Sequence, residues 1–182
     1  LMAAVVRPDT GLRTARRISH VFAVDAPNSI RALFITDAAI NIYPTLMEKR
    51  DIVQNAIDLA RAVGIVAPRV AILSAVETVS PDIRSTLDAA ALCKMADRGQ
   101  ITGAKLDGPL AFDNAVSLDA ARAKGIVSEV AGRADILVAP DLEAANMIAK
   151  QLVYLADAEM AGVVLGARVP IMLTSRADGV TA

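Results

Sequence analysis

The chain has 182 residues, of which 54% are hydrophobic, 21% are charged and 3% are aromatic, and its formal net charge at pH 7 is −1. This balance excludes the strongly basic surface that binds nucleic acid or an anionic membrane, and the shortage of aromatic residues argues against a platform for stacked bases. No run reaches the roughly 18 apolar residues of a membrane-spanning helix. The aliphatic core that is left favours a buried parallel sheet covered by helices.

The chain contains one cysteine, Cys93, and one histidine, His20. A single cysteine cannot form a disulfide within the chain, which fits a reducing cytoplasm. Two such residues are too few for a metal cluster, so we expect no metal site. We interpret Cys93 as a small apolar residue on a helix and His20 as a core residue inside a strand.

Short aliphatic runs alternate with amphipathic stretches along the whole chain. The aliphatic runs predict strands at residues 18–24, 31–36, 69–73, 101–106, 136–139, 162–165 and 171–173. Helical spacing of apolar residues between them predicts helices over about 45–64, 80–99, 117–125 and 141–155. This alternation predicts a layered α/β domain with a largely parallel sheet.

Residues with capping chemistry mark the starts of these helices. Thr45 and Glu48 have the spacing of a capping box, and Asp141 has the side chain of an N-cap. Ser80 and Pro81 supply an N-cap and a first-turn proline for the second helix. The apolar stripe of that second helix is predicted to consist of Ile83, Leu87, Ala90, Ala91 and Met95.

Polar residues follow the predicted strands, where the loops of a parallel sheet gather at one edge and bind ligands. These residues are Asp37, Ser74, Glu77, Asp107, Asp141, Ser175 and Arg176. The pattern predicts a site with carboxylates, a hydroxyl group and an arginine. Each residue also has a structural interpretation, because Asp and Ser cap helices and turns at the same positions.

Four segments at these loops resemble the phosphate acetyltransferase and phosphate butyryltransferase family. They are residues 36–44 (TDAAINIYP), 107–113 (DGPLAFD), 134–146 (ADILVAPDLEAAN) and 170–178 (PIMLTSRAD). The order and spacing of the segments extend the resemblance over essentially the whole chain. The resemblance is closer to the butyryltransferase branch, as the segments TDAAINI, SHV and LTSRAD indicate.

The resemblance implies an architecture of two α/β domains, as in isocitrate and isopropylmalate dehydrogenases, with the active site in the cleft between them. Residues 1–24 would then be a remnant of the first domain, residues 25–160 the second domain, and residues 161–182 a return to the first. Most of the first domain would be absent, and the parent could carry an enoyl-CoA hydratase domain upstream. The resemblance also implies a homodimer formed through the second domain.

The reaction implied by the family is acyl phosphate + CoA ⇌ acyl-CoA + phosphate. It needs a base for the thiol, a donor for the developing oxyanion and cations for phosphate, with coenzyme A as a substrate and no other cofactor. By resemblance, Ser175 is the oxyanion donor, and Arg176 and Arg13 hold phosphate or CoA. Acetyltransferases carry an aspartate seven residues after this serine, where this chain has Ala182, so Asp178 is the substitute candidate for the base.

The resemblance also assigns substrate contacts to Asp37 and to a cleft loop formed by Asp107, Gly108 and Pro109, with a structural turn as the alternative. A second class of function is a non-catalytic domain that senses acetyl-CoA, as in large malic enzymes, or that serves dimerisation. The retained pair of Ser175 and Arg176 favours the enzyme. We expect the chain alone to be inactive if the cleft needs both domains.

Overall fold

A computed structural model describes residues 7, 12–27 and 31–172. Over these residues the chain forms seven strands and five helices. In chain order they are β1 (Ser19–Asp25), β2 (Leu33–Thr36), α1 (Leu46–Ala62), β3 (Arg69–Leu73), α2 (Arg84–Asp97), β4 (Lys105–Leu110), α3 (Phe112–Val116), α4 (Leu118–Ala123), β5 (Ile136–Val138), α5 (Leu142–Ala156), β6 (Glu159–Leu165) and β7 (Ile171–Met172).

All seven strands of the described chain join one sheet in the order β4-β3-β5-β2-β1-β6-β7. The pairs β3–β4, β3–β5 and β2–β5 are parallel, whereas the pairs β1–β2, β1–β6 and β6–β7 are antiparallel. Five strands therefore point one way, and β1 and β7 point the other way. The predicted layered domain with a mostly parallel sheet is confirmed, and the sheet is mixed.

Helices cover both faces of the sheet, and each face has its own apolar core. Helices α1 and α2 bury Ile57 and Leu92 against one face, together with Val70 and Ile72 of β3. Helices α3, α4 and α5 cover the other face, where Ala71 and Leu73 of the same strand point. This alternation along β3 is the two-residue period of a strand that is buried on both sides.

The fourth strand does not lie where the sequence predicted it. It spans Lys105–Leu110 instead of residues 101–106, so Asp107, Gly108 and Pro109 lie inside the strand and not in a loop after it. Gly103 has a φ of 85°, which breaks extended structure before the strand begins. Strand β4 is an edge strand, and an edge accepts a proline because one side of the strand forms no ladder.

Helix α2 also starts later than predicted, at Arg84. Ser80 does not cap it, because the N-cap position is Ile83 and the hydroxyl group of Ser80 accepts the N–H of Asp82 instead. The buried face of α2 contains Thr86, Ala89 and Leu92, and Leu87 of the predicted stripe is 44% exposed. The alanines of this helix make several faces look apolar, so the spacing alone did not identify the buried one.

The other predicted caps are confirmed. Thr45 and Glu48 form the complete capping box of α1, and the side chain of Asp141 accepts a bond from the N–H of Ala144 at the start of α5. Within the described ranges, none of the helices has both the length and the apolar character required to cross a bilayer.

Candidate active site

The start of β1 lies at the carboxyl ends of two other strands because β1 is antiparallel to both. Val21 pairs with Thr36 at the end of β2, and Ser19 pairs with Leu165 at the end of β6. The segment that precedes β1 is thus placed beside the turn that follows β2. This arrangement brings the segment containing Arg13 to the sheet edge that carries Asp37, which is the edge predicted to bind ligands.

A cavity of about 280 Å³ opens at this edge, and the described residues that line it are Arg13, Arg17, Ile18 and Ile40. The backbone of Arg13 forms an isolated antiparallel bridge with Ala167, just beyond β6. Among the described residues, the guanidinium group of Arg13 has no hydrogen-bonding or ionic partner. The cavity therefore combines two cationic groups with an apolar wall, which suits an anion with a small apolar attachment.

Asp37 is buried and organises the turn after β2. One carboxylate oxygen accepts bonds of 3.0 Å from the N–H groups of Ala39 and Ile40, and the other accepts bonds from the backbone and side-chain nitrogens of Asn41. Asn146 holds the same turn by donating to the carbonyl of Ala38 at 3.3 Å. The structure thus gives Asp37 a structural role, and its contact with substrate stays a prediction.

Arg17 is a residue that the sequence did not single out. Its Nε donates to Oδ1 of Asn41 at 2.6 Å, and its Nη1 lies 3.0 Å from Oε1 of Glu48. Helix α1 also holds its backbone, since the N–H donates to Asp51 and the C=O accepts from Asn55, both at 2.9 Å. Arg17 is therefore fixed at both its backbone and its side chain.

A pattern on α1 could have indicated that the arginine-rich segment before β1 packs against this helix, although not which arginine reaches the cavity. Glu48, Asp51 and Asn55 recur at spacings of three and four residues, so they form one polar stripe on the helix. That stripe faces the arginine-rich segment before β1. The pKa of Glu48 is lowered, mainly by the bond from the backbone N–H of Thr45 and to a smaller extent by the charge of Arg17, so Glu48 stays anionic beside the cavity.

The structure does not bring Asp107, Gly108 and Pro109 to this cavity. Strand β4 is separated from β1 by four strand spacings, or about 19 Å across the sheet. The carboxylate of Asp107 accepts the N–H of Gly108, and Pro109 is buried. A Cβ atom at Gly108 would lie 2.7 Å from the carbonyl oxygen of Ile72, so close packing on β3 accounts for this glycine. Substrate binding by the three residues stays a prediction.

A second polar group lies at the carboxyl end of β3. Glu77 accepts bonds from Asn114 at 2.5 Å and from Lys124 at 2.6 Å, and the bond from Lys124 is the main cause of its lowered pKa. The hydroxyl groups of Ser74 and Ser85 are 2.8 Å apart. These residues pair with one another and are not among the residues that line the arginine cavity.

His20 is buried inside β1, as predicted, and Cys93 is partly buried on α2. His20 packs edge-on against Phe22, and burial lowers its pKa despite the opposing effect of the charge on Asp37. Among the described residues, its Nδ1 has no hydrogen-bond partner. Burial raises the pKa of Cys93 to about 12, which leaves the thiol protonated and unreactive at neutral pH.

Three predicted site residues, Ser175, Arg176 and Asp178, lie outside the described residues. Residues 7, 12–27 and 31–172 contain no group of three or more His, Cys, Asp or Glu side chains arranged to hold a metal ion.

Comparison with known proteins identifies relatives over the whole chain. The sequence profile of the family described as "Phosphate acetyl/butaryl transferase" matches residues 3–182. A protein of Rhizobium meliloti named phosphate acetyltransferase is 68% identical over 99% of this chain, which corresponds to 57% of that protein. A phosphate butyryltransferase of Clostridium acetobutylicum is 48% identical over 97% of this chain and 59% of its own length. The expected closeness to the butyryltransferase branch is not supported by these identities.

Solved structures agree with the fold. A branched-chain phosphotransacylase from Enterococcus faecalis superposes with a TM-score of 0.90 at 33% identity, covering 98% of this chain and 63% of that protein. A phosphotransacetylase from Streptococcus pyogenes superposes with a TM-score of 0.78 at 28% identity, over 92% of this chain and 51% of that protein. The chain spans little more than half the length of the curated relatives it matches. On the profile match and these identities, it belongs to the phosphate acetyl/butyryl transferase family.

Proposed function

We propose that the intact protein transfers an acyl group, acetyl or butyryl, between phosphate and coenzyme A. The observation that carries this proposal is the 68% identity to a protein named phosphate acetyltransferase over 99% of this chain. The cavity lined by Arg13 and Arg17 supports it, because the reaction needs cations that hold a phosphoryl group.

The chemistry of the transfer is a nucleophilic displacement at the acyl carbon. The thiol of CoA gives its proton to a base, the thiolate attacks the acyl carbon, and the bond from that carbon to the phosphate oxygen breaks so that phosphate leaves. In this proposal Asp178 accepts the proton and Ser175 donates a hydrogen bond to the developing oxyanion. Arg176 and Arg13 hold the phosphate, with coenzyme A as substrate and no further cofactor.

The proposal includes the wider architecture of the family. It places the site in the cleft of a two-domain protein of the isocitrate and isopropylmalate dehydrogenase type, with residues 25–160 as the second domain and residues 1–24 and 161–182 in the first. It also includes a cytoplasmic homodimer.

The decisive experiment measures thioester formation from CoA with acetyl phosphate and, separately, with butyryl phosphate. We expect turnover by the intact protein, and a loss of roughly 100- to 1,000-fold in kcat for Ser175→Ala, as for other oxyanion donors. Ser128→Ala is the matched control, because the hydroxyl group of Ser128 caps the turn at Val130 and Ala131. That variant should retain the wild-type kcat.

An intact protein that is inactive with both acyl phosphates contradicts the proposal. If acetyl-CoA nevertheless protects that inactive protein from thermal unfolding, the alternative of a non-catalytic acetyl-CoA-sensing domain replaces it.

A further inference from the structure

Two guanidinium groups line the cavity at the sheet edge, and they differ in how neighbouring side chains hold them. Arg17 is anchored by Asn41 and Glu48, whereas Arg13 has no partner among the described residues. The volume of about 280 Å³ is just below the range of small-molecule sites, which begins at about 300 Å³. A cavity of this size has room for a phosphoryl group with a short attachment.

Arg17 has donors to spare after it is anchored. A guanidinium group carries five N–H donors in a planar fork. Within the part of the chain that the structure describes, Nε–H bonds to Asn41 and Nη1 forms an ion pair with Glu48, so the N–H groups of Nη2 are open to a ligand. A guanidinium group that is held at Nε and Nη1, with Nη2 open, is preorganised to donate to an oxygen of a phosphoryl group.

The orientation of Arg17 depends on Asn41. The side-chain nitrogen of Asn41 donates to Asp37 at 2.5 Å and to the carbonyl of Ile18 at 2.9 Å. Both of these partners are acceptors, so the amide can turn in only one way, with Oδ1 toward Nε of Arg17. A chain of hydrogen bonds therefore links Asp37 in the turn after β2, through the buried amide of Asn41, to the guanidinium group of Arg17 at the cavity.

We propose that Arg17 is a second phosphoryl-binding arginine beside Arg13, and that Asn41 is the residue that positions it. This inference rests on the proposed acyl transfer and adds two residues to its site. The phosphoryl group belongs either to the acyl phosphate and free phosphate or to coenzyme A, and the experiment separates these sources.

The test compares Arg17→Met with Arg16→Met in the intact protein. Arg16 is a matched control, since both arginine side chains are 42% exposed and each pairs with a carboxylate on α1, but Arg16 does not line the cavity. In the direction from acyl-CoA and phosphate, we expect Arg17→Met to raise the KM for phosphate about 10- to 100-fold, as for loss of a charge-assisted bond. Arg16→Met should leave that KM unchanged.

The opposite direction of the reaction identifies the source of the phosphoryl group. A rise in KM for CoA instead of phosphate, which disappears with dephospho-CoA, assigns the site to a phosphate of the coenzyme. If neither KM changes in Arg17→Met, or if Arg16→Met changes the same KM equally, the inference is wrong.

The role of Asn41 needs a readout that loss of folding would not produce. Asn41→Ala should raise the same KM as Arg17→Met while kcat changes little, because the arginine is misdirected and not removed. Glu48→Gln is a second variant that keeps a capping box possible while removing the charge that faces Arg17, and it should raise that KM in the same direction. Equal losses in kcat with an unchanged KM in both variants would contradict a positioning role.

Direct titration with inorganic phosphate separates this inference from the proposed function. If the intact protein transfers no acyl group but binds phosphate, and only Arg17→Met weakens that binding, the proposed function fails and the anion site stands. If the wild-type protein binds no phosphate in the titration and the KM values are insensitive to Arg17, the anion site itself is refuted.

Discussion

The ion pair between Lys49 and Asp88 joins α1 to α2, and we predict that removing one partner destabilises the protein strongly. The ammonium nitrogen lies 2.7 Å from a carboxylate oxygen, and the side chains are only 7% and 11% exposed. The substitution Lys49→Met keeps an unbranched chain of similar size and removes the charge. It leaves the carboxylate of Asp88 buried without a cation.

The magnitude follows from two opposing effects. At 2.7 Å the attraction between unit charges is about 6 kcal/mol for an effective dielectric constant of about 20. Desolvation of the two charges offsets most of this, so the intact pair adds little net stability, but a buried charge left without its partner costs about 3–5 kcal/mol. We therefore expect Lys49→Met to lower the free energy of unfolding by about 3–5 kcal/mol, and Lys49→Met/Asp88→Leu to recover most of the loss.

The assay is urea unfolding followed by far-ultraviolet circular dichroism, because the chain has no tryptophan. Lys94→Met is the control, since Lys94 and Asp97 form a pair whose side chains are more than 60% exposed, and it should leave the free energy of unfolding unchanged. If Lys49→Met is as stable as Lys94→Met, or if the double variant is less stable than the single one, the reasoning about burial is wrong.

Three further predictions concern His20, Cys93 and Gly166. Because the pKa of His20 in the folded chain lies below 6.5, the unfolded chain binds a proton at this histidine more readily, so the free energy of unfolding should fall as pH drops below about 6.5. The free energy of unfolding of His20→Gln should depend less on pH in this range, and an unchanged pH dependence in that variant would refute the prediction. Cys93, with its pKa raised from 9.0 to about 12, should react with iodoacetamide at pH 8 about a thousandfold more slowly in the folded than in the urea-unfolded chain, by mass spectrometry; equal rates would refute this. Gly166→Ala should destabilise the protein by more than about 1 kcal/mol in the same urea assay, because φ is 82° and the new Cβ would lie 2.4 Å from the carbonyl oxygen of Arg17; a neutral effect would show that this contact relaxes.

The features predicted well from sequence are those that neighbouring residues determine. The capping box of α1 needs only Thr45 and Glu48, and it forms as predicted. Strand β3 spans the predicted residues 69–73, because a short run of branched aliphatic residues between turn signals has one good conformation in a buried sheet. The α/β class follows from repeating such local signals along the chain.

The features predicted badly depend on distant contacts. The segment before β4 is as aliphatic as the strand itself, and the position of the strand is set by its register with β3, where Ala71 pairs with Asp107. The spacing of apolar residues within the segment does not predict that register. The consequence is large for the site, because a shift of a few residues moves Asp107 from an expected loop into the sheet.

Arg17 shows why part of the site cannot be obtained from local patterns. It is one of three arginines in the run RTARR, and nothing in that run separates it from Arg16. The distinction arises from partners far along the chain: Arg16 pairs with Asp58, while Arg17 bonds to Asn41 and Glu48. Because alternate side chains before β1 face different neighbours, only the fold decides which arginine reaches the cavity.

The reversed direction of β1 is what assembles this cavity. If β1 were parallel to β2, the segment that precedes it would start at the opposite edge of the sheet, about as far from Asn41 as a strand is long. Because β1 is antiparallel to both neighbours, the turn after β2, the end of β6 and the polar stripe of α1 all meet the backbone or side chain of Arg17. Gly166 then approaches the carbonyl group of Arg17 so closely that no side chain fits between them. The chain as a whole has a net charge of −1, so the cationic character of this edge is a product of topology and not of composition.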